Sequence, residues 1–314
     1  MADALPTRVT AKQQIAEGVV ELELKSVDDR PLPTFEPGAH IDVHLSGGMV
    51  RQYSLSNFQP AADRYTIAIG LAAASRGGSR YLHDTVAVGD ELRIGLPRNR
   101  FPLDPDAPSY LFVAGGIGVT PILSMVRWCE MARKPWYLLY AARSRRRAAY
   151  VDELLALGGD RVRLHFDDEA GQVVDLASLF AQLRRDEQVY CCGPEPLMAL
   201  VAEHAAAHPS ASVCFERFSA PAAASDTGNR PFRVWLKASQ RELEVCADSS
   251  ILDTLEQAGI AHPFACREGL CRSCETEVCA GVPEHRDYVL SDAEKTSNQI
   301  MMICVSRSRS DRLE

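Results

Sequence analysis

Apolar and polar residues alternate with a period of two through Val19–Leu24, His40–Leu45 and Tyr65–Ile69, with Pro, Gly and Asp turns between the runs. The alternation predicts half-buried antiparallel strands. Their grouping before about Asp106 predicts a barrel or sandwich. A short helix is expected around Gly78–Asp84, with a hairpin turn at Gly89-Asp90. The pattern changes after Ser109. Tyr110-Leu111-Phe112-Val113-Ala114 is a continuous apolar run, followed by a glycine loop and an amphipathic stretch from Pro121 to Met131. Further strands are expected at Pro135–Ala141, Arg161–Phe166 and Gln188–Cys192, with helices at Val151–Leu157, Leu176–Arg184 and Glu195–Ala207. Strand and helix in alternation mean a parallel, doubly wound sheet.

From Ser219 to Asn229 the chain is low in complexity and carries no large apolar residue, which reads as a flexible linker. Beyond it, Phe232–Ala238 and Glu242–Cys246 read as a hairpin and Ile251–Gly259 as a helix, and a cysteine-rich loop follows. The expected partition is 1–106, 107–220, a linker at 221–230, and 231–314. There is no internal repeat.

Length and composition allow this. The chain has 314 residues, 46% hydrophobic and 24% charged, enough for two or three cored domains. No apolar run approaches the roughly 20 residues that span a bilayer. Met1–Pro6 lacks the blocks of a signal peptide, so a cytoplasmic location is expected. A reducing compartment also suits ten cysteines that are not spaced as a small disulfide framework. The net charge of −8 argues against nucleic acid as partner.

Four of the cysteines carry the most specific signal. Cys266, Cys271 and Cys274 are spaced C-x4-C-x2-C, and Cys304 follows after a long gap. This is the plant-type spacing for a [2Fe–2S] cluster, and it predicts a protein that moves single electrons. Cys279 lies close enough to compete as a ligand but is expected to be a core thiol, like Cys129, Cys214 and Cys246.

Three other motifs are weaker alone. Gly115-Gly116-Ile117-Gly118-Val119-Thr120-Pro121 ends a buried strand and opens a helix, where glycines let backbone N–H groups reach a phosphate. A plain tight turn explains it equally well. Cys191-Cys192-Gly193-Pro194 would sit at the carboxyl edge of the same sheet, where such folds bind ligands; the bland reading of Cys192 is a small buried thiol. Arg51-Gln52-Tyr53-Ser54 and Gly77-Gly78-Ser79 could bind phosphate and stack on a ring, or could be an ordinary strand and turn.

In this order the five motifs resemble, over nearly the whole chain, the phthalate dioxygenase reductase and vanillate demethylase reductase type of the ferredoxin–NADP reductase superfamily. The resemblance implies an antiparallel β-barrel that binds FMN, a Rossmann-like domain that binds NADH, and a C-terminal β-grasp ferredoxin domain. Arg51, Gln52, Tyr53 and Ser54 would hold the flavin, with Gly77, Gly78 and Ser79 at its phosphate. Gly115, Gly116 and Gly118 would face the dinucleotide, Thr120 would lie near the flavin, and Cys192, Gly193 and Pro194 would line the nicotinamide pocket. Thr120, Cys192 and Phe218 would be catalytic, with Phe218 covering the flavin ring; its alternative reading is an anchor for the linker. The family's loop has glycine where this chain has Arg272. A cation there is expected to raise the cluster potential by stabilising the more negative reduced state.

A nicotinamide gives electrons in pairs and a cluster accepts one, so the implied path is NADH, FMN, [2Fe–2S], then an external acceptor. Arg143 and Ser144 would lie at the ribose. Arg145, Arg146 and Arg147 nearby could favour a 2′-phosphate or form a solvated turn, and the resemblance favours NADH. The eight histidines show no two-His-one-carboxylate spacing, so oxygen chemistry is assigned to a partner. By resemblance that partner is a Rieske-type non-haem iron oxygenase acting on an aromatic acid, met transiently by a monomeric reductase. Other readings are a reductase for another acceptor, such as a haem monooxygenase, and an electron-transfer subunit that ignores NADH.

Overall fold

In the computed structural model, which describes residues 4–58, 63–71, 77–171, 174–208, 212–220 and 228–314, the chain divides into two units, 1–217 and 218–314. Residues 221–227 of the expected linker lie outside the described residues.

The first unit begins with an antiparallel sheet of β1 (Leu5–Ala16), β2 (Val19–Ser26), β3 (Ala39–His44), β4 (Val50–Ser54), β5 (Tyr65–Gly70), β6 (Glu91–Ile94) and β7 (Arg98–Asn99). The strand order is β4-β3-β6-β1-β2-β5, with β7 on β3. A bridge between Leu55 and Ile67 joins the two ends of this path, so the sheet closes into a barrel. Alternate residues fill its interior, among them Leu22, Leu24, Ile41, Val43, Tyr65, Ile67 and Ile69. The long strand β1 is absent from the alternation pattern because it buries only Thr7 and Val9 fully. Backbone pairing to β2 and β6 holds it instead. Helix α1 (Gly78–Asp84) is capped at its carboxyl end by Lys12, whose ammonium donates to the carbonyls of His83 and Val86, each at 2.6 Å.

A parallel sheet follows, made of β8 (Tyr110–Gly115), β9 (Trp136–Ala142), β10 (Val162–Phe166), β11 (Gln188–Cys192) and β12 (Ser212–Glu216) in the order β10-β9-β8-β11-β12. Its helices are α2 (Val119–Ala132), α3 (Val151–Gly158), α4 (Asp167–Ala170), α5 (Ala177–Phe180) and α6 (Glu195–Ala206). The direction of winding reverses between β8 and β11. In open parallel sheets that reversal leaves a crevice beyond the strand ends. The helix expected over Leu176–Arg184 is a single turn, α5. Leu179 and Phe180 are buried, and Asp186 at φ 62° takes the chain into β11.

Barrel and parallel sheet share one core, in which Val19, Ala68 and Phe101 pack with Ile122, Met125 and Val126 of α2. Polar bonds on the same helix reinforce this. Ser124 Oγ accepts from Gly38 N at 3.1 Å, and the Arg127 guanidinium donates to Ser56 O at 2.7 Å.

The second unit contains β13 (Phe232–Leu236), β14 (Arg241–Val245), α7 (Ile251–Gln257), β15 (Glu275–Glu277), β16 (Pro283–Glu284), α8 (Asp292–Ser297), β17 (Ile300–Met302), β18 (Arg307–Ser308) and β19 (Arg312–Leu313). Its main sheet is mixed: β13 runs antiparallel to β14 and parallel to the C-terminal β19. Ile251, Leu252 and Leu255 of α7 pack over this sheet, as in a β-grasp. No helix among the described residues is long and apolar enough to cross a membrane.

Gly38 marks where α2 meets the barrel. Its φ is +89°, and a Cβ there would stand 2.1 Å from Phe101 O and 2.9 Å from Met125 Cε. Gly38→Ala should therefore lower the unfolding free energy of the first unit by about 2 kcal/mol or more. The check is the thermal midpoint, and an unchanged value would mean that Phe101 can move aside.

Candidate functional site

The glycine loop and the Cys-Gly-Pro turn, more than 70 residues apart in sequence, interlock where the parallel sheet reverses. A Cβ on Gly115 would lie 2.5 Å from Pro194 Cδ, one on Gly193 would lie 2.9 Å from Gly115 Cα, and one on Gly118 would lie 2.3 Å from Cys192 O. These three glycines are required by close backbone approach. Gly116 differs: its φ is +53° and the space beside it is open, so it is the loop position free to face a phosphate. Thr120 is 2% exposed, and its hydroxyl donates to Ile117 O at 3.0 Å, closing the loop from within.

Barrel residues reach the same edge. Ile117 of the loop touches Gly70 of β5, where a Cβ would stand 3.4 Å from Ile117 Cγ1. Strand β12 runs in register with β11, placing Glu216 beside Cys192. Ser54, the last residue of the Arg-x-Tyr-Ser run, lies close enough to the Glu216 carboxyl to pull its pKa down. Burial pushes that carboxyl up to about 8, against a smaller downward pull from Ser54. Its Oε2 is buried without a hydrogen-bond partner among the described residues. The Cys192 thiol is pushed well above its ordinary value, chiefly by burial and then by Glu216, so it stays neutral. Buried Ser54 and Cys192 thus lie beside half-buried Glu216 as one polar group. The run Glu216-Arg217-Phe218 resembles the family's, but the resemblance gives a role only to Phe218; the pairing of β12 with β11 is what brings Glu216 to Cys192.

The remaining barrel residues fall into two groups. The Arg51 side chain passes over Gly78, where a Cβ would lie 2.6 Å from Arg51 Cγ. Gly77, at φ +93°, turns the chain so that Gly78 and Ser79 open α1 beneath that guanidinium. Glycines and a hydroxyl beneath a guanidinium are a chemistry that fits a phosphate. Tyr53 is partly buried against the barrel core, and burial raises its phenol above the ordinary range. Gln52, by contrast, donates to Asp42 Oδ1 at 2.9 Å, and Arg98 holds the other Asp42 oxygen at 2.6 Å. The structure therefore ties Gln52 into a β3–β4–β7 network rather than into the group beneath Arg51.

Arg143 and Ser144 follow β9 directly. Arg143 is exposed and forms no ion pair among the described residues. Arg145 pairs with Glu169 at 3.3 Å, and Arg147 pairs with Glu17 at 3.0 Å. The basic turn is thus largely occupied in fastening the β1–β2 hairpin to the parallel sheet. Phe218 is the first residue of the second unit and is 44% exposed.

In the second unit the four expected cysteines converge. Cys271, Cys274 and Cys304 are buried. The Cys266 thiol is held well below the usual range by its neighbours Cys271 and Cys304 and by backbone N–H groups, while Cys304 is pushed up by Cys266 and Cys274. Cys266 Sγ accepts from Glu268 N at 3.3 Å and Leu270 N at 3.4 Å, and Cys271 Sγ accepts from Cys266 N at 3.5 Å. Buried sulfurs that share their charge and receive N–H groups are the donor set of an iron–sulfur centre. No group of three or more His, Cys, Asp or Glu around one point occurs among the described residues, as a single ion would need. A two-iron cluster asks for only two protein thiolates at each iron. One expectation is corrected. Cys246 and Cys279 are exposed rather than core thiols, because each follows a strand end on a surface turn. Arg272 is not a free cation, since Glu275 and Glu294 both pair with it, at 2.5 and 2.8 Å.

The chain resembles known proteins over its whole length. Residues 236–309 match the 2Fe-2S iron-sulfur cluster binding domain, and residues 95–211 match the N-terminal domain of dimethylamine monooxygenase subunit DmmA-like proteins. Tetrachlorobenzoquinone reductase of Sphingobium chlorophenolicum is 43% identical over 97% of this chain and 95% of its own. Phthalate dioxygenase reductase of Burkholderia cepacia is 38% identical over 98% of this chain and 96% of its own. The solved structure of a phthalate dioxygenase reductase, described as a modular structure for electron transfer from pyridine nucleotides to [2Fe–2S], superposes with a TM-score of 0.77 at 38% identity, covering 99% of this chain and 97% of that one. An intact type IV self-sufficient cytochrome P450 monooxygenase gives a TM-score of 0.88 at 39% identity; the match covers 99% of this chain but only 40% of that one. The chain belongs to the phthalate dioxygenase reductase family of flavin and iron–sulfur oxidoreductases.

Proposed function

We propose that this chain is the reductase component of an aromatic oxygenase or demethylase system, using NADH, FMN on the barrel and a [2Fe–2S] cluster on Cys266, Cys271, Cys274 and Cys304. The observation that carries the reading is the joining of Ser54, Cys192 and Glu216 at the reversal point of the parallel sheet. When bound, the nicotinamide supplies electrons in pairs, the flavin divides them, and the cluster passes them on singly.

The chain's own residues would serve this as follows. Arg51 with Gly77, Gly78 and Ser79 would hold the flavin phosphate, and Tyr53 and Ser54 would orient the ring. Gly116 would face the dinucleotide phosphates, while Gly115, Gly118, Gly193 and Pro194 set the crevice through their mutual contact. Neutral Cys192 would offer an apolar wall to the nicotinamide. Glu216 would hold a proton at neutral pH and present a carboxylic acid to the bound ring. Thr120 would stiffen the loop, and Phe218 would cover the flavin. Arg143 and Ser144 would meet the ribose. Asp168 N donates to Arg143 O at 3.2 Å, so the acidic run Asp167-Asp168-Glu169 lies alongside. Carboxylates there disfavour a 2′-phosphate, which supports NADH. The partition into modules 1–106, 107–220 and 231–314, a monomeric state and a transient oxygenase partner belong to the same proposal.

A second reading is favoured by one observation. The likeness to a fused P450 system extends over 99% of this chain, so a haem monooxygenase is the competing acceptor. Single-turnover reduction of a Rieske oxygenase against that of a P450, each mixed with the NADH-reduced chain, distinguishes the two.

Three outcomes are expected. Anaerobic NADH should bleach the flavin band and generate a [2Fe–2S] EPR signal; flavin that stays oxidised would identify a subunit without its own NADH reaction. The ratio of kcat/KM for NADPH over NADH should lie below one, and a ratio above one would overturn the assignment of the ribose site. The third concerns pH. Between the ordinary carboxyl value of 4.5 and about 8, folded Glu216 keeps a proton that the unfolded chain has lost. Its contribution therefore makes stability fall as pH rises through that window. Glu216→Gln should melt higher than the wild type at pH 8.5 and show no such gain at pH 4; equal differences at both would deny the shift.

A further inference from the structure

The loop bearing three of the four cysteines is tied down at two points of the same construction. Arg267 follows Cys266 and Arg272 follows Cys271, and both lie in the left-handed region, at φ 59° and 58°. A residue with a Cβ enters that region against steric resistance, so each needs something to hold it there. Arg267 donates to Asp253 Oδ1 at 2.8 Å and to the two carboxylate oxygens of Glu256 at 2.7 and 2.6 Å. Its guanidinium also stands 4.2 Å from the Phe264 ring centre. Arg272 donates from Nε to Glu275 and from Nη2 to Glu294.

The partners are as informative as the arginines. Asp253 and Glu294 are the third residues of α7 and α8, and each closes the capping box that starts its helix. Glu294 divides its oxygens: Oε2 accepts from Ser291 N and Oγ at 2.8 and 2.9 Å, and Oε1 accepts from Arg272. Each arginine is therefore anchored to a helix start that is itself fixed. Both helices also border the segment that supplies Cys304. Helix α8 leads into β17, which pairs with β15 immediately after Cys274, and Leu252 N of α7 donates to Ile303 O at 3.1 Å. Since each guanidinium faces two carboxylates, neither adds net positive charge beside the sulfurs.

We propose that Arg267 and Arg272 are positioning residues for the iron–sulfur centre, twin staples that keep the three-cysteine loop in register with the segment carrying Cys304. Their role is mechanical rather than electrostatic. The inference rests on the assignment of the cluster to Cys266, Cys271, Cys274 and Cys304.

The test uses the full chain loaded with cluster, following the loss of cluster absorbance in excess chelator. Arg267→Ala and Arg272→Ala should each lose cluster on the order of tenfold faster, the scale of a charge-assisted hydrogen bond. Glu294→Gln keeps an acceptor for the capping box but loses the ion pair. It should lose cluster faster than the wild type but no faster than Arg272→Ala, since the Glu275 pair remains, and the double variant should be no faster than Arg272→Ala. Bleaching of the flavin by NADH should be unchanged in all of them. Wild-type loss rates in both alanine variants, or additive effects in the double variant, would overturn the staples. If Arg272→Ala takes up no cluster at all, the Glu294→Gln rate decides. A wild-type chain with no [2Fe–2S] EPR signal would instead overturn the cluster assignment itself.

Discussion

Backbone meets backbone where the parallel sheet reverses, with Gly115 and Gly193 so close that a Cβ on either would overlap the other turn. The rest of the first unit follows from that contact. It brings the carbonyl of Cys192 against Gly118 and so sets where α2 begins. Helix α2 then carries Ser124 and Arg127 to the barrel, where they bind Gly38 N and Ser56 O. Ser56 lies two residues beyond Ser54, so the end of the barrel strand β4 is held against the edge where the parallel sheet reverses. A larger residue at any of the three interlocking glycines would displace two motifs at once.

The polar group inside this junction is kept at a cost. Burying a carboxyl oxygen without a hydrogen-bond partner is unfavourable, and the structure limits the penalty by keeping Glu216 protonated. Cys192 beside it is neutral for the same reason. A dry edge with few fixed charges suits a site where two rings must stack and electrons pass between them. The cluster loop meets the opposite demand. Its sulfurs need charge stabilisation, which comes from backbone N–H groups, while the arginines beside them are already satisfied by carboxylates.

Much of this is visible in the chain itself, for reasons that differ by residue. The strands at Val19–Ser26, Ala39–His44 and Tyr65–Gly70 announce themselves because one face is wet and the other dry. Strand β1 does not, since backbone pairing on both sides holds it with few buried side chains. Strand β12 is also silent: its residues are half-buried, and nothing in its pattern shows that it runs beside β11. With β12 unseen, the run Glu216-Arg217-Phe218 pointed to Phe218 and not to Glu216 as a neighbour of Cys192. The cysteine spacing is legible because ligand geometry restricts it directly.

Sequence alone determined the order of sheets, the cysteine spacing and the motifs at the strand ends, because periodicity and spacing are local properties of a chain. Tertiary structure decided what those residues do to one another. It made Gly115 and Gly118 packing residues and left Gly116 to face outward. It drew Gln52 into a network with Asp42, surrounded Arg272 with carboxylates, and raised Glu216 by burying it. Each of these depends on distances between segments far apart in the chain, and such distances exist only once the backbone has closed on itself.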